Sequence, residues 1–277
     1  MNFAAVTQFC ATDDIEKNTK VCVDLIKQAA EHRAKMVFLP ESSDFMSSSQ
    51  DQMLKLAAPL DSHAFLNNIR RAAKEHNIWV SVGVHESSSE PKKVNNIHVI
   101  VNDKGDIVSI YRKTHMYSSD MNDGPTVDES KSTTPGDEIT PPVDTPLGKM
   151  GSQICYDLRY PEISIKLRNK GAEILTFPSA FTPKTGAHWE ILLRARAVEN
   201  QAFVIASGQI GQHNEKRESF GHAMIVDPWG TVLAECADNA EIPGMAIAPI
   251  DIGYLKQIRK EQPVFENRRY DLYPKIE

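Results

Sequence analysis

Three side chains that together can break an amide each follow a short stretch that reads as a strand. Glu41 comes after MVFLP (36–40), Lys113 after IVSIYR (107–112) and Cys155 after KMGSQI (149–154). A thiol attacks a carbonyl only once a base has taken its proton. A carboxylate can be that base. An ammonium can hold both the thiolate and the negative oxygen of a tetrahedral intermediate. Each residue also has a plainer use: the cysteine as a small inert core residue, the glutamate as the start of a loop, the lysine in water. Spacing alone leaves both readings open.

These residues need elements to carry them, and the pattern supplies strands that end where they stand. Residues 3–9 alternate as a strand. Asp13 and Asp14 precede a helix with Val21, Leu25 and Ala29 one turn apart. The continuous apolar run 36–40 reads as a strand buried on both faces. A helix over 62–76 carries Phe65, Ile69 and Ala73 on one face, and a strand over 78–86 follows. Strands over 97–101 and 107–111 flank Asn102-Asp103-Lys104-Gly105, a hairpin turn. Residues 114–146 are rich in Pro, Gly, Ser, Thr and Asp and too long for a simple connection, which suggests an active-site loop. Beyond it the pattern predicts a strand at 149–155, a helix at 161–170 opened by Pro161 and closed by Gly171, and a strand at 173–177. It then predicts a helix at 188–200, a strand at 202–210, and a meander of 222–226, a turn at 227–230, 232–236 and 245–250. Strands and helices interleave with no linker or repeat, so the expectation is one α/β domain over residues 1–277 with helices covering a mixed sheet. Periodicity does not say whether there is one sheet or two. In such folds the C-terminal ends of strands open onto the ligand crevice.

The bulk numbers exclude several classes. The 277 residues carry a net charge of -6, 41% hydrophobic and 25% charged residues, so neither nucleic acid nor an anionic membrane has a general attraction for them. The adjacent Arg268 and Arg269 read as solvated surface. No run approaches a membrane span, and MNFAAVTQF lacks the features of a signal peptide. Cys10, Cys22, Cys155 and Cys236 are scattered with no CxxC pair, which argues against a metal site or a disulfide scaffold and for a reducing, cytoplasmic compartment, a mitochondrial pool being compatible.

The blocks FLPE (38–41), YRKTH (111–115) and ICYDLRYPE (154–162), in that order, resemble the three signature blocks of the nitrilase superfamily, and the resemblance runs from about residue 3 to 273. It implies an α-β-β-α four-layer sandwich whose protomers pair as a homodimer, and an amidase without metal or organic cofactor. Glu41 matches the family's general base, Lys113 its lysine and Cys155 its nucleophile. The N–H of Tyr156 matches an oxyanion donor, and Glu129, in ESKS (129–132), a second glutamate beside the lysine; otherwise Glu129 is a solvated loop carboxylate.

The longer blocks GAEILTFPSAF (171–181), AHWEILLRARAVENQ (187–201) and Arg217 through DPWG resemble the Nit branch, and within it the deaminated glutathione amidases. That resemblance implies a small-molecule 2-oxo acid amide as substrate, cleaved to 2-oxoglutarate and cysteinylglycine. The neighbouring ω-amidases act on 2-oxoglutaramate, and a non-catalytic scaffold is the alternative from another class. Two departures border the expected pocket: one residue fewer between Gly186 and Ala187, and Met116-Tyr117-Ser118 in place of Leu-Phe-Asp. Arg159 can clamp a substrate carboxylate or pair with Glu162 or Asp157. Phe181 and Thr185 line the pocket by family analogy. His188 and His222 allow a Cys–His reading but suit structural hydrogen bonding better, and Trp189 and Trp229 suit packing.

Overall fold

The structure, a computed structural model, describes residues 2–120 and 127–276; positions 121–126 of the predicted long loop lie outside the described residues. The chain opens with β1 (Asn2–Phe9), α1 (Ile15–Glu31), β2 (Ala34–Phe38), α2 (Gln50–Leu56), α3 (Ala64–His76) and β3 (Trp79–Ser87). Then come β4 (Val94–Val101), β5 (Ile107–Arg112), β6 (Ser118–Ser119), β7 (Val127–Asp128), β8 (Val143–Thr145) and β9 (Gly148–Ser152). The second half holds α4 (Pro161–Asn169), β10 (Ile174–Thr176), α5 (Pro183–Gly186), α6 (Trp189–Asn200), β11 (Phe203–Ala206) and β12 (Gly208–Asn214). It ends with β13 (Arg217–Phe220), β14 (Met224–Val226), β15 (Val232–Glu235), β16 (Gly244–Ile250) and α7 (Ile252–Glu261).

Two large sheets answer the question periodicity left open. One orders its strands β13-β12-β1-β2-β3-β4-β5, with β16 also paired to β1; the other runs β15-β14-β11-β10-β9-β8. Side chains alternate along a strand, and here both faces are covered. Ala4, Val6, Met36, Phe38, Ile174, Phe203, Ile205 and Ile225 point between the sheets. Their neighbours Ala5, Val37 and Val80 meet α1 and α3 on one outer face, and Leu175, Val204 and Val226 meet α4 and α6 on the other. The predicted α-β-β-α sandwich is therefore the observed one, and it explains why MVFLP is apolar at every position.

Local chemistry sets the helix ends. Asp14 caps α1 by accepting the Lys17 N–H, and α3 and α6 each stop on a left-handed residue, Asn77 and Gln201. The predicted hairpin turn is present, with the Asn102 side chain accepting the N–H groups of Lys104 and Asp106. Three expectations change. The predicted strand 202–210 is two strands: the chain leaves the second sheet after Ala206 and joins the first at Gly208, pivoting on Ser207, whose hydroxyl donates to Leu39 O. The strand into Cys155 ends at Ser152, and Cys155 opens a 3₁₀ turn, Cys155–Arg159. Trp229 is 55% exposed and packs no core, whereas Trp189 is buried and donates to His222 O at 2.7 Å.

Candidate active site

Glu41 lies where β2 leaves the sheet and the chain continues along β3. Leu39 N donates to Ser81 O, Gly83 N to Pro40 O and Ser43 N to Gly83 O. A Cβ at position 83 would stand 2.6 Å from the Glu41 Cα, so the close approach requires glycine. Gln209, from β12, donates to the Glu41 carbonyl at 2.9 Å. The carboxylate itself is 2% exposed. Its Oε1 accepts from Asn96 Nδ2 at 2.8 Å and from Lys113 Nζ at 3.2 Å.

Lys113 stands just past β5 with its N–H donating to Asn96 O. Its Nζ reaches Glu129 at 3.0 and 2.8 Å as well as Glu41. Glu129 opens a 3₁₀ turn and is fixed by the Tyr117 N–H on Oε2 at 2.7 Å and by Asn96 Nδ2 on Oε1 at 3.4 Å. It is thus part of the cluster and not a solvated loop carboxylate.

Cys155 completes the group. It has φ of 44°, a left-handed conformation that costs a non-glycine residue about 1–3 kcal/mol. Its N–H is held by Pro178 O, and its thiol lies close enough to Glu41 and Lys113 to feel the charge of both. At the start of the turn, the Tyr156 N–H is among those a helix leaves without an intrahelical acceptor.

The electrostatics favour a neutral thiol at rest. Burial and the nearby Glu41 charge push the Cys155 thiol up, and Lys113 offsets only part of this. Burial would raise the Glu41 carboxyl, but Lys113, then Arg217, and the hydrogen bonds from Asn96 and Cys155 bring it below the usual carboxylate range. Burial would lower Lys113, but Glu129 and Glu41 outweigh it and keep the ammonium charged. A charged carboxylate, a charged ammonium and a protonated thiol is the resting arrangement a carboxylate-activated nucleophile needs.

Asp157 staples the blocks together. This fully buried carboxylate accepts from Tyr111 OH at 2.7 Å, Ile154 N at 2.9 Å, His115 Nδ1 at 2.7 Å, and His115 N and Thr114 Oγ1 at 3.2 Å. It joins the residues flanking Lys113 to the residue before Cys155. This excludes its predicted pairing with Arg159.

Arg159 does not pair with Glu162 either. Its guanidinium lies 5.9 Å from the Tyr156 ring centre and 5.7 Å from that of Phe181, and Nη2 meets His188 Nδ1 at 3.2 Å. Tyr117 stands edge-on to Tyr156, Tyr156 edge-on to Tyr160, and His115 stacks on Tyr160 at 3.8 Å. Thr185 is buried in α5, linked to Thr182 Oγ1 at 2.9 Å. His222 points away, to Glu235. Sequence reasoning missed Asn96, Gln209 and Arg217. The only signal for Asn96 was a pair of asparagines, Asn95 and Asn96, directly before the strand read at 97–101.

Among the described residues no group of three or more His, Cys, Asp or Glu could hold a metal. The family model for carbon-nitrogen hydrolases matches residues 3–260. The chain is 47% identical to "Probable hydrolase nit2" of Schizosaccharomyces pombe over 100% of both chains. It is 46% identical to "Deaminated glutathione amidase" of Homo sapiens over 97% of this chain and 83% of that one. The crystal structure of the Caenorhabditis elegans NitFhit protein superposes with a TM-score of 0.92 at 42% identity, covering 98% of this chain and 66% of that longer one. The chain belongs to the carbon-nitrogen hydrolase family, within the nitrilase superfamily.

Proposed function

We propose that this protein hydrolyses the side-chain amide of deaminated glutathione, with the whole chain acting as one hydrolase domain. Glu41 takes the Cys155 proton as sulfur bonds to the amide carbon, and the carbonyl electrons move to oxygen. Lys113 Nζ and the Tyr156 N–H receive that oxyanion. Collapse breaks the C–N bond, and Glu41 returns the proton to the departing amine of cysteinylglycine. Water, deprotonated by Glu41, then attacks the thioester. The carbon keeps the new hydroxyl, giving 2-oxoglutarate, and the sulfur leaves as the thiol.

The observation that carries this reading is the buried cluster in which Lys113 bridges Glu41 and Glu129 while the charges of Glu41 and Lys113 act on the buried Cys155 thiol. The substrate rests on relatives named deaminated glutathione amidase at 46–47% identity and on Arg159, which has no carboxylate partner among the described residues and lies near two rings where it can fork onto a 2-oxo acid carboxylate. Phe181 and Thr185 would line that end. The chemistry calls on no metal or organic cofactor. The exposed stripe of Ile191, Val198 and Trp229 on α6 and the turn beyond β14 supports a homodimer, checked by sedimentation. Among the described residues no helix is long and apolar enough to cross a membrane, and four unpaired cysteines fit the cytoplasm. Measured kcat/KM should favour deaminated glutathione over 2-oxoglutaramate, with simple nitriles inert. The reverse preference would make the protein an ω-amidase with the same triad, and absence of any turnover would leave the scaffold reading.

A further inference from the structure

The reaction just derived fixes the direction in which the substrate must lie. Glu41 protonates the leaving nitrogen, so everything beyond that nitrogen extends on the Glu41 side of the sulfur. The 2-oxo acid half lies on the other side, by Arg159. Cysteinylglycine ends in a carboxylate, so the far side needs a cation of its own.

Arg217 is placed there. It opens β13, opposite Asn214 in the β12–β13 hairpin. The Asn214 side chain donates to Ser47 O at 3.4 Å, beyond the Glu41 loop, and Gln209 on β12 holds the Glu41 carbonyl. The other end of β13 borders the pocket: Phe220 N donates to Phe181 O, and the Phe220 ring packs against Gly186. The hairpin therefore runs from the Phe181–Gly186 wall to the Glu41 loop. Arg217 is exposed, yet its charge reaches the buried Glu41 and also His213. Its place opposite Asn214, whose side chain reaches Ser47 O, sets Arg217 at the end of the hairpin nearest the Glu41 loop. The ion pairs among the described residues give neither Arg159 nor Arg217 a carboxylate.

Resting on the substrate reading above, we propose that Arg217 binds the terminal carboxylate of the cysteinylglycine tail and so sets the preference for the longer substrate. Arg159 and Arg217 would then clamp the two ends of a dicarboxylate with Cys155 between them. An arginine suits this because its planar fork matches a carboxylate.

The test pairs a change in the enzyme with a change in the substrate. Deaminated glutathione is compared with the analogue whose glycine carboxylate is a carboxamide, in wild type, Arg217→Gln and Arg217→Glu. A charge-assisted contact at a partly exposed site is expected to give wild type about a tenfold preference in kcat/KM for the acid. Arg217→Gln should bring that ratio to about one, and Arg217→Glu should invert it. Because the readout is a ratio, any general effect of Arg217 on Glu41 cancels. A ratio that stays the same in all three proteins overturns the assignment while the substrate reading stands. Wild-type protein that hydrolyses 2-oxoglutaramate but neither form of the longer substrate overturns both.

Discussion

Glu41 and Asp44 stand on one loop, both buried and both held below the usual carboxylate range, yet their surroundings differ in one respect. Asp44 accepts His85 N at 2.8 Å, His85 Nδ1 at 2.9 Å and Phe45 N at 3.0 Å, and His63 Nε2 lies 3.6 Å away. His63 Nε2 donates to His85 O, and its Nδ1 accepts the Leu66 N–H at the start of α3. Every partner is locked into backbone or a ring. Glu41 instead meets a thiol that can surrender its proton to it and a lysine shared with Glu129. A buried, paired carboxylate is thus not in itself a sign of catalysis. What distinguishes Glu41 is a partner whose proton can move, and each prediction below tests that contrast.

Cys155→Ala removes the mobile proton and should have the largest effect, lowering kcat by about 10⁴-fold or more while the melting temperature stays within a few degrees. A variant with wild-type turnover would refute the nucleophile. In the wild-type protein an acyl mimic should label Cys155 and spare the other three cysteines. Burial holds Cys22, Cys236 and Cys10 as thiols, and none of those three has a Glu41 to receive its proton. Peptide mass mapping decides between them.

Lys113→Met should come next, with a loss of about 10²–10³ in kcat, because it removes one oxyanion donor and leaves Glu41 and Glu129 facing each other. Glu129→Gln should cost less, since its role is to hold Lys113 and the Tyr117 N–H. Equal losses would mean that Glu129 touches substrate. The same electrostatics set the pH profile. Glu41 is ionised well into acid, Lys113 stays charged, and the thiol stays protonated at rest. Activity should therefore be retained below neutral pH and show no rise near the ordinary thiol pKa of about 8.5. A rate that climbs through that value would indicate attack by a preformed thiolate.

Glu41 was legible because it ends MVFLP, a run buried on both faces, whereas Lys113 follows the half-exposed β5 and Cys155 follows a run that itself holds Lys149 and Gln153, so those two were legible from their sequence blocks and not from burial. The layers were less so. The run 202–210 is apolar up to Ala206, and nothing in its period shows that Ser207 hands the chain from one sheet to the other. The helix α2 was missed because it buries no residue and so carries no stripe. The helix α7 buries only Leu255 and Ile258. Asp157 was visible in its motif, but not as the acceptor joining Tyr111, Thr114, His115 and Ile154, because those contacts span the interior. Arg217 lies on an exposed hairpin strand, where an arginine is ordinary.

The smallest effect on turnover should come from Asp44→Asn, whose consequences should instead be structural. An asparagine amide turns a donor toward His85 N–H or Nδ1–H, leaving part of the buried group unsatisfied. The cost is about 2–4 kcal/mol, a fall in melting temperature of about 5–15 °C, while kcat should drop less than about tenfold because Glu41 keeps all its own partners. The pH dependence of that stability loss is diagnostic. Burial would raise Asp44, but His85 and then His63 outweigh it, so its folded pKa lies below its unfolded one. The carboxylate then contributes fully above the unfolded value of about 3.9 and progressively less as pH falls toward the folded value. The gap in melting temperature between wild type and Asp44→Asn should be widest near neutrality and narrow on acidification, since only the wild type has a charge to lose. A gap of constant width would mean that Asp44 acts by shape alone. A loss of kcat as large as that of Lys113→Met would place Asp44 in the catalytic machinery and erase the contrast with Glu41.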